Sequence, residues 1–332
     1  MPREDLIFVS HSERCAAWHY SGEGDAFVGE RGRPCVVMAH GFGFTRDSGL
    51  EPFAEDFAAA GLDVLLFDYR NFGDSTGEPR QLIDWRRHRE DYRQATDFAR
   101  LLEGVDPERI VLWGTSYSGG HVMAVAADDG RVAAVISQSP AVDGLAALIS
   151  LGRYAGWPIL ARFTAAGVKD AVAALRGRDP HRIPVVGEPG ELAALTTPDA
   201  APGLRALAGP GLRNEYCARA GLGAAQNRPI KRAGEILCPI LFQIADRDQI
   251  TPAAPIEKAA WNAPGRAEVR RYPMVHFDVY LDGRERIAAD QLHFLRRHLS
   301  LACGARGARG TDAVSAGAEP SGEGESIDRS SL

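Results

Sequence analysis

The stretch VLWGTSYSGG at residues 111–120 decides the fold and raises the question of function. Its first residues are apolar and favour a buried strand, and Ser116 follows among small residues. The continuation SGGHVMAVAA at 118–127 is rich in helix-forming alanine. The stretch therefore predicts a strand, a sharp turn that carries a serine, and a helix.

The same pattern of an apolar run followed by small or polar residues recurs along the chain. Because hydrophobicity in these runs is continuous and not alternating, the strands are expected to be buried on both faces. Amphipathic stretches at 49–60, 84–103 and 118–128 predict helices between them. The pattern predicts an α/β fold with a mostly parallel central sheet flanked by helices. The other runs are PCVVMAHGFG at 34–43, LDVLLFDYRNFGDS at 62–75, VAAVISQSP at 132–140 and CPILFQIADRD at 238–248.

The strand pattern stops in one long segment and at the C-terminal end. Residues 145–230 combine helical stretches with a loop rich in proline and glycine, which predicts a helical lid insertion. Residues 1–144 and 231–302 would then form the core. Residues 303–332 lack aromatic side chains and have almost no large aliphatic ones, so we expect a disordered tail.

Composition excludes several classes of protein. The hydrophobic content of 45% suits a sizeable core, and the formal charge of −6, with both signs interspersed, does not suggest nucleic-acid binding. No N-terminal run has signal-peptide length, and no stretch approaches the length of a membrane span. We therefore expect a cytoplasmic enzyme with no membrane partner. The five cysteines form no CxxC pair, which argues against a zinc ribbon: Cys15, Cys35, Cys217, Cys238 and Cys303.

Two nucleotide-binding interpretations of the glycine turns fail on single residues. A dinucleotide fingerprint G-x-G-x-x-G could begin at Gly41, but its third glycine would be Arg46. A phosphate loop G-x-x-x-x-G-K-[ST] could begin at Gly114, but Gly120 and His121 replace the lysine and the hydroxyl. The sequence therefore predicts no nucleotide cofactor.

A nucleophile elbow is the third interpretation. The motif G-x-S-x-G places a serine on a strained strand-to-helix turn, which small neighbours permit. Here the pentad is GTSYS at 114–118, with a serine in place of the second glycine and Gly119 directly after it. We predict that Ser116 is the nucleophile, at a helix N-terminus that favours developing negative charge.

A serine nucleophile needs a base, and the base needs an acid that orients it. His276 follows the late strand AEVRRYP, whereas His293 and His298 fall in the C-terminal helix, so His276 is the predicted base. Asp248 follows the strand PILFQIA and is favoured as the acid over Asp246, two residues earlier. Asp143, which also follows a strand, is a more remote alternative for the acid.

Backbone amides are the expected oxyanion donors. Tyr117 follows the nucleophile directly and would supply one N–H group. Phe42, between Gly41 and Gly43 in the turn after the first buried strand, would supply the other, and His40 would support that turn.

Taken together, these motifs resemble the α/β-hydrolase superfamily. The aspartate of that family's G-x-x-D-x-x-x-P run falls on Asp248, with Ala245 in place of the glycine and Pro252 in register. The resemblance implies a Ser-His-Asp hydrolase that needs no metal or organic cofactor. The segment DYRNFGDSTGEPRQ at 68–81 is similar to members related to Xaa-Pro dipeptidyl peptidases and dienelactone hydrolases. The motifs are HGFG at 40–43, DYRNFGDSTG at 68–77, GTSYSGG at 114–120, DRDQITP at 246–252 and HF at 276–277.

The expected activity is hydrolysis of a carboxylic ester of a small or medium organic molecule. Thioester or amide cleavage by the same triad, and a non-catalytic binding protein on a hydrolase scaffold, remain the alternatives. Tyr154, Trp157 and Phe163 could form an apolar wall in the lid, although aromatic side chains on helices more often belong to a core. Oligomeric state is not specified by any of these features.

Overall fold

A computed structural model describes residues 3–263 and 265–299. Its longer strands coincide with the apolar runs, and all five residues of Asp63–Phe67 and of Ala134–Gln138 are buried. The strands are β1 (Arg3–Ser10), β2 (Glu13–Tyr20), β3 (Arg33–Ala39), β4 (Asp63–Phe67), β5 (Val105–Thr115), β6 (Ala134–Gln138), β7 (Arg182–Ile183), β8 (Tyr216–Cys217), β9 (Ile240–Ala245) and β10 (Ala267–Tyr272).

Eight of these strands form one twisted sheet in the order β1-β2-β4-β3-β5-β6-β9-β10. β1 and β2 are antiparallel to their neighbours, and every pairing from β4 to β10 is parallel. Parallel strands place their carboxyl ends at one edge, so the loops after β3, β5, β9 and β10 gather there. The predicted α/β class and mostly parallel sheet are confirmed.

Helices cover both faces of the sheet, as the continuous apolar strands require. One core layer contains buried side chains of the helices at 85–99, 117–128 and 253–262, and the other contains those of the helices at 51–59 and 284–299. The helices are α1 (Glu51–Ala59), α2 (Trp85–Ala99), α3 (Tyr117–Asp128), α4 (Gly144–Tyr154), α5 (Pro158–Leu175), α6 (Ala200–Leu207), α7 (Ala253–Asn262) and α8 (Arg284–Leu299).

The segment predicted to be a lid lies between β6 and β9. It contains α4, α5 and α6, followed by 3₁₀ turns at Ala218–Gln226 and Pro229–Glu235. It also contains the two-residue strands β7 and β8, which pair with each other and were not predicted. A strand of two residues is too short to produce a recognisable run or alternation of apolar residues in the sequence. The boundaries 145–230 and the role of a lid stay a prediction.

The predicted disordered tail, 303–332, lies outside the described residues. Within them, Cys15, Cys35, Cys217 and Cys238 are buried free thiols. None of the described helices combines the length and the apolarity needed to cross a bilayer.

Candidate active site

Ser116 stands between the end of β5 and the start of α3 in a backbone conformation that L-residues rarely adopt, with φ 54° and ψ −118°. Its N–H donates to the carbonyl of Gln138 at 2.9 Å, and its carbonyl accepts from Ala141 N–H at 2.8 Å. Strain of this kind costs about 1–3 kcal/mol and persists where neighbouring structure enforces it. Here the chain after β6 holds the serine in place.

Small neighbours make this turn possible, and Ser118 fits where the motif usually has glycine. The Ser118 hydroxyl accepts from Thr115 N–H at 2.8 Å and lies 2.9 Å from the carbonyl of Ala39. A β-carbon at Gly114 would lie 2.4 Å from the Ser118 carbonyl oxygen. The substituted serine therefore joins the turn's own hydrogen bonds and does not open it.

In the structure, the predicted base contacts Ser116, and the predicted acid contacts the base. His276 follows β10, and its Nε2 lies 3.1 Å from the Ser116 Oγ. Its Nδ1 lies 2.6 Å from Asp248 Oδ2. All three side chains are buried. Residues separated by up to 160 positions thus meet at the carboxyl edge of the sheet, as expected from their places after strands.

Asp248 is held as a hydrogen-bond acceptor by the loop that follows it. Its Oδ1 accepts from Ile250 N–H at 2.8 Å and Thr251 N–H at 2.9 Å. The Thr251 hydroxyl donates to Oδ2 at 2.5 Å. Thr251 is a site residue that the sequence analysis did not assign. The signal was present, because an aspartate in a turn commonly accepts from backbone N–H groups shortly after it, which places the following side chains next to its carboxylate.

Charges around His276 decide its protonation. Burial has the largest single effect and acts to lower the pKa of the imidazole, since it disfavours the charged form. The charge and hydrogen bond of Asp248, with a further contribution from the charge of Asp199, outweigh burial and raise the pKa above its ordinary value. The ring is thereby prepared to accept a proton.

The alternative acids are placed elsewhere. Asp246 forms an exposed ion pair with Arg271 at 2.8 Å. Asp143 caps the N-terminus of α4 and pairs with Arg228 at 2.7 Å. Neither carboxylate is within hydrogen-bond distance of His276, so the geometry separates them from the preferred Asp248.

The turn after β3 approaches the nucleophile closely. A β-carbon on Gly41 would lie 3.2 Å from the Ser116 Cβ, and Gly43 has a φ of +74°. The His40 Nδ1 lies 3.0 Å from the carbonyl oxygen of Gly41, which matches its expected supporting position. In the described chain the N–H groups of Phe42 and Tyr117 donate to no protein acceptor. Both amides are therefore available to an oxyanion, and their role as donors stays a prediction.

Beside Ser116 is a largely apolar cavity of about 500 Å³. Leu148, Leu151, Tyr154 and Phe163 from α4 and α5 line it, whereas Trp157 is exposed at the surface. A second, much smaller space of about 20 Å³ lies between His40, Ser116 and His276, with room for about one water-sized group. Of the three lid aromatics considered from sequence, two face the cavity.

The described residues contain no group of three or more His, Cys, Asp or Glu side chains arranged to hold a metal ion. Three histidines that do cluster, His40, His88 and His121, pack around Tyr69 and Tyr117 in the buried core beside the turn. Burial lowers the pKa of each ring.

The comparisons with known proteins all point to one fold family. A model described as the alpha/beta hydrolase fold matches residues 34–283. The chain is 38% identical over 297 residues to the quorum-quenching protein AidA of Acinetobacter baumannii (strain MDR-ZJ06), covering 88% of this chain and 94% of that protein. It is 43% identical over 120 residues to the thiohydrolase aneE of Aspergillus aculeatus, covering 36% of this chain and 38% of that protein. The crystal structure of the alpha/beta hydrolase GrgF from Penicillium sp. sh18 superposes with a TM-score of 0.77 at 25% identity, covering 91% of this chain and all of that one.

Proposed function

Because the chain belongs to the α/β hydrolase fold family and is an enzyme of that class, we propose that it is a serine hydrolase acting on a carboxylic ester. The observation that carries the proposal is the unbroken line of contacts from Asp248 through His276 to Ser116. Its substrate is a small or medium organic molecule, and the reaction passes through an acyl-enzyme. We also predict that the protein is located in the cytoplasm.

In the first half of the reaction, the Ser116 Oγ attacks the carbonyl carbon of the ester. His276 Nε2 takes the hydroxyl proton and returns it to the departing alcohol. Asp248 keeps the Nδ1 proton of the imidazole in place and stabilises the imidazolium. In the second half, His276 takes a proton from a water molecule that attacks the acyl carbon, then gives it to the Ser116 Oγ as the acyl–serine bond breaks and the carboxylic acid leaves. The small space beside His276 has room for this water.

The tetrahedral intermediate places negative charge on the former carbonyl oxygen. The free N–H groups of Phe42 and Tyr117 are the proposed donors to it. Such donors contribute most in a site from which water is excluded, and removing one typically costs about 10²–10³-fold in kcat. The apolar cavity formed with α4 and α5 would take the acyl chain.

A thioester is the second candidate substrate. The thiohydrolase from Aspergillus aculeatus supports it, because its matching segment is 43% identical to this chain. The chemistry differs little, since the same acyl-enzyme forms and a thiolate leaves in place of an alcoholate. Amide cleavage and a non-catalytic binding role are the remaining alternatives.

The similarity to a protein named for quorum quenching suggests which natural molecules to test first. A quorum signal that contains an ester bond, open or cyclic, is within the chemistry of the proposed triad. Loss of such a signal from solution, dependent on Ser116, would connect the proposed reaction with a biological substrate.

The proposal is tested with purified protein on matched ester, thioester and amide substrates that share one acyl group. We expect the ester to have the highest kcat/KM, and Ser116→Ala to reduce turnover by about 10⁶-fold, to the background of the assay. Ser12→Ala, in the exposed turn between β1 and β2, is the control and should keep full activity. Undiminished turnover by Ser116→Ala would refute the proposal, and a thioester optimum would favour the second candidate.

A further inference from the structure

Polar side chains outside the proposed proton relay also line the largely apolar cavity. Tyr117 and Asn227 are among the residues that line it, whereas most of the other lining side chains are aliphatic or aromatic. Arg89 of α2 lies behind Asn227. None of these three side chains has a part in the proposed proton transfer, although the backbone N–H of Tyr117 does serve the oxyanion.

Arg89 is a cation without an acidic partner. Its Nη2 donates to Asn227 Oδ1 at 2.5 Å, and its guanidinium lies 4.5 Å from the ring centre of Trp85. Among the described residues, no carboxylate lies within ion-pair distance of it. Burial lowers the pKa of Arg89 to about 10, which leaves it charged at neutral pH. The guanidinium therefore donates to Asn227, and its charge also acts on Tyr117.

This contact fixes which way the Asn227 amide points. A guanidinium can only donate hydrogen bonds, so the side-chain oxygen of Asn227 must face Arg89 and the amide nitrogen must face away. The backbone of Asn227 is also held, because its N–H donates to Ala224 at 3.1 Å and its carbonyl accepts from Gly144 at 2.8 Å. The amide nitrogen of Asn227 is thus held in place as a hydrogen-bond donor at the cavity.

Tyr117 lines the same cavity as Asn227, and Arg89 and Asn227 are both among its polar neighbours. Burial raises the pKa of this phenol, while the charge of Arg89 and a hydrogen bond from Asn227 act in the opposite direction. The ring is fixed by edge contacts with Phe42 at 5.2 Å and His121 at 4.6 Å between centroids. With its oxygen on Arg89, Asn227 can only donate towards the cavity, and among the described residues no protein group accepts the hydrogen of the Tyr117 hydroxyl.

We propose that the Tyr117 hydroxyl, oriented by Asn227 and Arg89, donates a hydrogen bond to an oxygen atom within the acyl chain of the substrate. The enzyme would then select acyl groups that carry a carbonyl, hydroxyl or ether oxygen over plain alkyl chains. An unpaired donor in apolar surroundings is costly, and a substrate that satisfies it is favoured over one that leaves it unpaired. This inference rests on the proposed function, because it assigns the acyl chain to the cavity.

The test compares plain acyl esters with esters of equal chain length in which one methylene is replaced by an ether oxygen, moved along the chain one position at a time. We expect one position to raise kcat/KM of the wild-type enzyme by about tenfold over the plain chain. The preference should fall to near unity in Tyr117→Phe, which lacks the hydroxyl, and in Asn227→Asp. Comparing ratios between variants cancels the intrinsic reactivity of each ester.

Asn227→Asp guards against misfolding as an explanation. Its carboxylate would pair with Arg89 and so keep the fold, yet it would accept the Tyr117 proton and withdraw it from the substrate. Tyr154→Phe is the matched control, because Tyr154 in α4 is a second tyrosine that lines the same cavity and is far in sequence from Asn227 and Arg89. This variant should retain the wild-type preference for the ether oxygen.

The outcomes separate this inference from the proposed function. If the wild-type enzyme hydrolyses plain and oxygenated esters with a ratio that Tyr117→Phe and Asn227→Asp do not change, the inference is wrong and the proposed function stands. If Tyr154→Phe loses the preference equally, the recognition does not belong to Tyr117. If the wild-type enzyme hydrolyses no ester of the series, the proposed function and the inference fail together.

Discussion

Asp246 and Asp248 are two residues apart, and their surroundings give them different tasks. Asp246 is partly exposed and pairs with Arg271. Asp248 is buried, accepts two backbone N–H groups and lies 2.6 Å from the His276 ring. Because Asp248, and not Asp246, lies within hydrogen-bond distance of the imidazole, we propose Asp248 as the acid of the proton relay.

Replacing each aspartate by asparagine therefore has very different expected effects. Asp248→Asn keeps the size of the side chain but favours the wrong tautomer of His276, so kcat should fall by about 10⁴-fold. Asp246→Asn changes one exposed ion pair, worth at most about 1 kcal/mol, and should leave kcat within twofold. Steady-state kinetics on one ester measures both. Equal losses in the two variants would contradict the assignment.

The pH dependence of kcat/KM reports the same proton relay. Since the pKa of His276 is raised, the fraction of neutral imidazole falls as the pH drops, and the acid limb should have its midpoint above the ordinary 6.5. Asp199→Asn removes a negative charge that helps to raise this pKa, so the midpoint should move to lower pH. Asp246→Asn is the control. A midpoint that moves to higher pH in Asp199→Asn would contradict the stated charge effect.

Helix α3 can lie close to the chain that follows β6 because its first turn contains two glycines, Gly119 and Gly120. A β-carbon on Gly119 would lie 2.7 Å from Pro140 Cβ, and one on Gly120 would lie 2.3 Å from the carbonyl oxygen of Ala141. The same chain segment bonds to Ser116 through the N–H of Ala141. Packing of α3 and the position of the nucleophile are therefore coupled.

Gly120→Ala should destabilise the protein and reduce activity together. Overpacking against a backbone carbonyl costs about 1–3 kcal/mol, and relief by displacement would move the turn that holds Ser116. Thermal unfolding and ester turnover measure the two effects. Gly130→Ala is the control, since its new β-carbon would lie 3.6 Å from the nearest atom, Leu237 Cδ1, and should change stability by less than about 0.5 kcal/mol. A fully stable and active Gly120→Ala would show that the contact is relieved at no cost.

Strands formed by a continuous apolar run could be predicted from the sequence, whereas the two-residue strands could not. The runs that became β3, β4, β6 and β9 are buried over nearly their whole length, so their composition alone indicated them. β7 and β8 are paired through tertiary contacts over two residues each, which leaves no local pattern. Continuous burial therefore leaves the clearest strand signal in the sequence, although the less buried β10 was also predicted.

At the scale of the whole molecule, sheet topology brings the predicted residues Ser116, Asp248 and His276 together at one edge. Each of them follows a strand of the parallel sheet, and this position, together with the family-like motifs around them, allowed them to be proposed from the sequence. Asn227 could not be selected in this way, because it lies in a 3₁₀ turn region and gains its role from Arg89, 138 positions away. A contact between two segments that are far apart in the chain produces no characteristic spacing of residues in the sequence, so it cannot be predicted from a motif.

The central claim is that Ser116 is activated by His276 and Asp248, and covalent labelling tests it most directly. The wild-type protein would be treated with a fluorophosphonate, digested, and analysed by mass spectrometry to locate the adduct. We predict one adduct on the peptide that contains Ser116, formed much more slowly in His276→Ala. An adduct on a different residue, or an active enzyme that forms no adduct at Ser116, would contradict the account.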